Sequence, residues 1–268
     1  MADRYGFTTI STELEDRILV VKLNRPDRLN ALNKVMHDEL GELYGRIERD
    51  ADVDVVVLTG EGKAFCVGAD FDQMEENLAR GGYEDGHPDL MYGSVRMARS
   101  ILAVSQPMIA AVNGHAIGLG ATLALFCDVV YMAETARIGD PHVKAGIVAG
   151  DGGPVLWPML VGMNRAKEYL MTGDLVTAQE ADRIGLVNHV LPGDELLDAA
   201  MAMARKLAAG AQIAIRFNKR LVNKELEERV NKVYDLALAL EGLTFETADH
   251  REAVQAFLEK REPVFGQG

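Results

Sequence analysis

A chain of 268 residues, 48% hydrophobic and 26% charged, is long enough to close one large core without disulfides or a structural metal, which excludes a disordered chain and a cystine scaffold. Its 41 acidic and 28 basic side chains leave a formal charge of −13, which argues against nonspecific binding to nucleic acid or anionic membrane. Two cysteines without a CxxC, no apolar run near the ~18 residues of a membrane span and no signal-peptide pattern in MADRYGFTTI lead us to expect a cytoplasmic chain with reduced thiols.

In chain order, the β-branched run Ile18–Leu23 (ILVVKL) predicts a strand, stopped by Asn24, Arg25 and Pro26. Residues 33–49 have helical spacing, with Asn33 as N-cap and Val35, Met36, Leu40, Leu43 and Ile47 near one face. Residues 53–59 predict a buried strand, and 65–70 (FCVGAD) a strand running into a loop. Residues 77–89 are rich in Gly and charge without an apolar period and read as a surface loop. A helix is expected over 92–104, a buried strand at Met108–Val112, a helix through 122–125 and a strand at 129–132. No strand is expected after about residue 190. Helices are expected instead over 197–209, over 218–240 with Leu221, Val222, Leu226, Val230, Val233, Leu236, Ala237 and Leu240 as its apolar positions, and over 249–260. The expected organisation is an α/β core over residues 1–195 and a helical region over 196–268.

Three places carry the residue types that chemistry needs. At Asn113-Gly114-His115-Ala116-Ile117-Gly118-Leu119-Gly120 a buried strand ends and a helix begins near Ala121. Unpaired N–H groups at a helix start, with the dipole behind them, stabilise an oxyanion, although a tight packed turn has the same spelling. Gly68-Ala69-Asp70 ends a second strand and could add another N–H, or be a plain turn. Residues 139–153 (GDPHVKAGIVAGDGG) hold a histidine, two aspartates and five glycines. His142 can exchange a proton near neutral pH and an Asp can orient it. Alternatively, Asp151 caps the next helix, which Pro154 would open. His37, His87, His115, His189 and His250 lie in no such cluster and read as surface or packing residues. No His, Cys, Asp and Glu set has zinc-ligand spacing, so no metal is expected.

The segments 21–33 (VKLNRPDRLNALN), 55–70 (VVVLTGEGKAFCVGAD), 107–128 (PMIAAVNGHAIGLGATLALFCD), 170–185 (LMTGDLVTAQEADRIG) and 256–265 (AFLEKREPVF) together resemble the crotonase superfamily, the enoyl-CoA hydratase/isomerase family, over nearly the whole chain. The resemblance implies a spiral of ββα units with a C-terminal helical trimerisation region, a homotrimer or dimer of trimers, and an acyl-CoA thioester as substrate, with no cofactor beyond that coenzyme A. It implies that the N–H groups of Ala69 and Leu119 hold the thioester oxygen as it becomes an enolate. Most relatives have Gly where this chain has Leu119. Coenzyme A would be met by Arg28, Asn30, Ala31, the backbone at Val67 and Ala69, and Lys260.

Two departures stand out. The family's hydratases carry two catalytic glutamates, and this chain has Thr122 and His142 at those positions. Threonine is no carboxylate base near neutral pH. His142 and Asp151, with GIVAGDGG and Trp157-Pro158, instead resemble the β-diketone hydrolase branch such as oxocamphor hydrolase. There a His and an Asp activate water and a C–C bond breaks with an enolate leaving. Ala121 stands where that branch has a second histidine, and Glu241 matches a further carboxylate of it. The expected function is therefore oxyanion-assisted chemistry on an acyl-CoA or β-dicarbonyl substrate with His142 and Asp151 as the working pair and Thr122 and Glu241 in support, C–C hydrolysis being favoured. The alternatives are a conventional enoyl-CoA hydratase or isomerase of fatty-acid β-oxidation, and a non-catalytic acyl-CoA-binding subunit.

Overall fold

β-branched and apolar segments set the frame. In the computed structural model, which describes residues 3–79 and 88–266, Ile10–Glu15 (β1) and Ile18–Leu23 (β2) pair as an antiparallel hairpin whose two-residue turn, Asp16 and Arg17, has positive φ at both positions. Val55–Gly60 (β3), Met108–Val112 (β4), Val129–Ala133 (β6) and His189–Leu191 (β9) extend the sheet in the order β1-β2-β3-β4-β6-β9, each new pair parallel. β3 and β4 are buried at every residue, as strands covered on both faces must be. Ala116–Ile117 (β5), Arg137–Gly139 (β7) and Val176–Thr177 (β8) form a second, three-stranded sheet. Strands and helices alternate around these two sheets, the α/β class expected from the sequence.

Lys34–Arg49 (α1) begins where expected, the Asn33 side chain accepting the Met36 N–H at 3.0 Å. It buries Met36, Leu40, Leu43, Tyr44 and Ile47, while Val35, one step round the helix from Met36, faces solvent against expectation. The expected strand 65–70 does not form. Cys66 bridges Ala116 and Ala69 bridges Leu32, and the left-handed turn at Gly68 (φ +86°) between them prevents a continuous ladder. Of the expected loop 77–89, residues 77–79 end helix Phe71–Ala79 (α2) and 88–89 begin helix Pro88–Ala103 (α3); residues 80–87, with His87, lie outside the described residues. Leu119–Leu125 (α4) starts two residues before Ala121. Gly153–Val161 (α5), Met163–Thr172 (α6) and Ala178–Arg183 (α7) complete the core. Both cysteines are free and buried.

Leu196–Ala208 (α8) lays Leu196, Ala200 and Ala204 onto the sheet. Gln212–Phe245 (α9) is longer at both ends than its apolar pattern, and it is fastened by ion pairs as much as by packing. Lys219 Nζ meets Asp128 at 2.8 Å and the Gln106 carbonyl at 2.9 Å, Arg216 meets Asp54 at 3.0 Å, and Arg229 donates to the carbonyls of Pro154 and Val155. Only part of the expected apolar face is buried: Val230 and Ala237 face the core, whereas Leu221, Val222, Leu236 and Leu240 face solvent. Val230, Tyr234 and Leu238 join the same hydrophobic core as the strands. Ala248–Leu258 (α10) packs on α2, Phe257 stacking on Phe71 at 4.0 Å between ring centres. His250, fully buried in α10, faces the Ala145 carbonyl at 2.8 Å. No helix among the described residues is long and apolar enough to cross a membrane.

Candidate active site

Glycines bring two chain segments into backbone contact. A Cβ on Gly120 would lie 2.2 Å from the Cys66 carbonyl oxygen, and one on Gly68 2.9 Å from that of Ile117. Cys66 N–H donates to His115 at 3.1 Å and Ile117 N–H returns to Cys66 at 2.9 Å, so residues 66–69 run beside 115–120. Gly118 (φ +55°, ψ −125°) turns the chain into α4 and makes Leu119 its first residue. Helices leave such first N–H groups unpaired at the positive end of their dipole. Among the described residues, neither the Ala69 nor the Leu119 amide donates a backbone hydrogen bond. The two expected oxyanion donors therefore come from adjacent segments, each amide unused.

Gly118 also faces the histidine: a Cβ there would lie 3.3 Å from Cε1 and 3.7 Å from Nε2 of His142. His142 begins the short 3-10 turn His142–Ala145, just after β7. Its Nδ1 is hydrogen-bonded to Asp140, its Nε2 faces Asp151 Oδ2 at 3.4 Å, and Glu241 Oε1 from α9 stands 3.9 Å from the same nitrogen. Separation by nine positions in sequence is thus closed in space. Asp151 does not cap α5: Gly152 is the N-cap, and Pro154 is the second residue of the helix behind Gly153. The Asp151 carboxylate instead accepts the Thr122 hydroxyl from α4 at 3.3 Å. Asp140, which bonds the His142 Nδ1, is hardly marked by the sequence, since only its place two positions before His142 sets it apart.

Charge states follow from burial and neighbours. Burial alone would lower His142, but the carboxylates of Asp140, Asp151 and Glu241 override it and hold the imidazole well above its usual value. Burial raises Asp151 to about 6, with His142 opposing. Burial raises Glu241 to about 8, again with His142 opposing. These neighbours thus favour the imidazolium form of His142, while burial favours the neutral acid at Glu241 and, less strongly, at Asp151. Asp140, His142 and Asp151 bring one donor atom each within 4.8 Å of one another, a grouping that could hold a cation. In the structure these atoms serve one another.

Of the residues expected at coenzyme A, Arg28, Asn30 and Ala31 lie on a loop docked against the segment that carries Val67 and Ala69. Leu32 N–H donates to Gly68 at 2.7 Å and Asp70 N–H to Leu32 at 3.0 Å, which docks the 28–31 loop there. Arg28 pairs with Asp72 at 2.5 Å and Arg25 with Asp70 at 2.9 Å. The Asn30 side chain is fully buried and spent within the protein, accepting from Arg25 N–H and donating to the carbonyls of Glu61 and Ala64 of the neighbouring segment. Ala31 is buried, Val67 half-buried, and Lys260 exposed just beyond α10.

A family model described as enoyl-CoA hydratase/isomerase matches residues 13–268. The chain is 39% identical over 254 residues to the short-chain-enoyl-CoA hydratase of Clostridium acetobutylicum, covering 93% of this chain and 94% of that protein. It is 37% identical over 261 residues to the crotonyl-CoA hydratase of Syntrophomonas wolfei, covering 97% and 98%. The crystal structure of an enoyl-CoA hydratase/isomerase from Mycobacterium paratuberculosis superposes with a TM-score of 0.88 at 37% identity, covering 94% of this chain and 99% of that one.

Proposed function

The chain belongs to the enoyl-CoA hydratase/isomerase family, and from that premise we propose that it hydrolyses a C–C bond of a β-dicarbonyl substrate, free or as its coenzyme A thioester. The observation that carries this reading is where the site keeps its carboxylate. Position 122 offers only a hydroxyl, and that hydroxyl is bonded to Asp151, whose other oxygen faces His142.

One carbonyl oxygen of the substrate lies on the amides of Ala69 and Leu119. Asp151, ionised above about pH 6, takes a proton from water as the water oxygen bonds to the second carbonyl carbon. The second carbonyl's π pair moves onto its oxygen as the water adds; when that C=O re-forms, the C–C bond breaks and its electron pair passes to the first carbonyl, forming an enolate held by the two amides. His142 Nε2–H or Glu241 gives a proton to the enolate carbon and is reprotonated with the one Asp151 took, passed through His142, so one water is divided between the two fragments and the site is restored. Asp140, accepting the Nδ1–H, orients the ring. Removing one oxyanion donor typically costs on the order of 3 kcal/mol of transition-state stabilisation.

A second reading, hydration of an enoyl thioester with His142 and Asp151 replacing the glutamate pair, is favoured by the names of the relatives. A paired assay with a cyclic β-diketone and crotonyl-CoA separates the two. Diketone cleavage without hydration is the expected result, and hydration alone would replace the proposal with the second reading. In whichever assay is active, His142→Ala should lower turnover by at least about 100-fold, the usual worth of a positioned acid or base. Unchanged turnover would remove His142 from the chemistry, and coenzyme A binding with silence in both assays would favour a binding subunit. The quaternary proposal is a homotrimer or dimer of trimers, supported by the solvent-facing apolar rows of α9.

A further inference from the structure

We propose that Thr122 is a positioning residue: its hydroxyl holds the Asp151 carboxylate in the rotamer that turns the second oxygen to His142, tying that carboxylate to the helix that carries the Leu119 amide. This rests on the reading that Asp151 takes the water proton.

Thr122 is three residues beyond Leu119 on α4, so both lie on one side of the same short helix. Its own backbone is fixed, its N–H donating to the Gly118 carbonyl at 3.0 Å. The side chain is buried and makes two contacts with the 151–152 loop. Oγ1 donates to Asp151 Oδ1 at 3.3 Å. The methyl group presses on Gly152, where a Cβ would come within 2.5 Å of it and where φ is +144°. From the opposite side, the Tyr234 hydroxyl of α9 donates to the Asp151 carbonyl at 3.1 Å. The Asp151 main chain is thus fixed by α9 and its carboxylate by α4. Without the hydroxyl, nothing from α4 selects which carboxylate oxygen faces the imidazole. A hydroxyl fits this place where a carboxylate does not, because a glutamate here would put two buried carboxylates in contact.

The groups facing Asp151 are His142 and Asp140 from the 139–145 segment, Glu241 and Tyr234 from α9, and Cys66 from beside α4. The hydroxyl favours the ionised carboxylate, so its loss should push the Asp151 titration upward.

Two variants of the full-length protein test this, Thr122→Val, which keeps the shape, and Thr122→Ser, which keeps the hydroxyl. The first readout needs no substrate: the His142 ring-nitrogen NMR signals followed through pH. The expected result is a displaced titration in Thr122→Val and a near-native one in Thr122→Ser. On the substrate that the paired assay identifies, Thr122→Val should lower kcat about 10- to 100-fold with KM changed by less than about 3-fold, and move the acidic limb to higher pH. Thr122→Ser should recover most of that rate, and the Val effect should vanish in an Asp151→Asn background. An unmoved His142 titration in Thr122→Val overturns the proposal. So does a kcat loss that Ser fails to restore or that persists beside Asp151→Asn. Should both assays be silent, the NMR arm still decides for or against Thr122, while the hydrolase reading alone would fall.

Discussion

Asp151 and Glu241 are buried carboxyls held near a histidine, and in the proposed mechanism their titrations set the working range of the site. Because burial raises Asp151 to about 6, the base is lost below that pH rather than below the ordinary carboxylate range near 4. Because burial raises Glu241 to about 8, a protonated acid persists through neutrality and is lost above. A bell-shaped kcat/KM profile with limbs near these values is expected, and Glu241→Gln should remove or displace the alkaline limb only. A profile flat from pH 4 to 7 would contradict the role of Asp151. The same shifts have a thermodynamic sign. A carboxyl whose folded value is raised contributes stability below its unfolded pKa, and that contribution is lost as pH rises through the folded value. For these two groups the loss spans the range in which the site becomes competent. His142 and Asp151 were legible in the sequence as types in a glycine-rich loop, but their contact was not, because nine intervening residues allow many closures. Asp140 escaped because a buried aspartate and a solvated loop aspartate are spelled alike.

Among the elements, α4 matters most for its first turn. Leu119 occupies N1, the helical position at which proline is tolerated because its N–H has no intrahelical acceptor. Leu119→Pro should therefore keep α4 while deleting one oxyanion donor, lowering kcat about 10²–10³-fold. Leu119→Gly, which retains the N–H, should stay near the native rate. Equal losses in both, with unchanged circular dichroism, would mean that the side chain and not the amide matters. Two apolar strand runs were readable to the residue, Ile18–Leu23 and Met108–Val112, whereas α9 runs past its expected bounds at both ends. β5, β7 and β8, at two or three residues each, carry no period and exist only because the second sheet pairs them. The ladder expected at 65–70 failed for the opposite reason, since a single left-handed glycine divides an apolar run between two partners.

For the whole molecule, α9 presents an uncovered row, Ile213, Phe217 and Leu221, with Leu236, Leu240 and Leu243 further along. These are two apolar patches on a 34-residue helix, one spaced by four and one by three and four, of a kind that water rarely meets in a monomer. Light scattering should give three or six times the monomer mass. Phe217→Asp combined with Leu221→Asp should shift the protein toward smaller species, and a monomeric wild type would contradict the assembly. The sequence marked α9 as amphipathic but not which side faces inward. The inward side carries both the buried Val230, Tyr234 and Leu238 and the tethers of Lys219, Arg216 and Arg229 to Asp128, Asp54 and the α5 carbonyls.

Glu241 reaches His142 from the far end of α9, and α10 then seats Phe257 against Phe71. A ribosome therefore delivers the imidazole about a hundred residues before the carboxyl that completes its surroundings (241 less 142 is 99). During translation the strands can pair while the corner around His142 still stands open, and that corner closes only after residue 241 has been added.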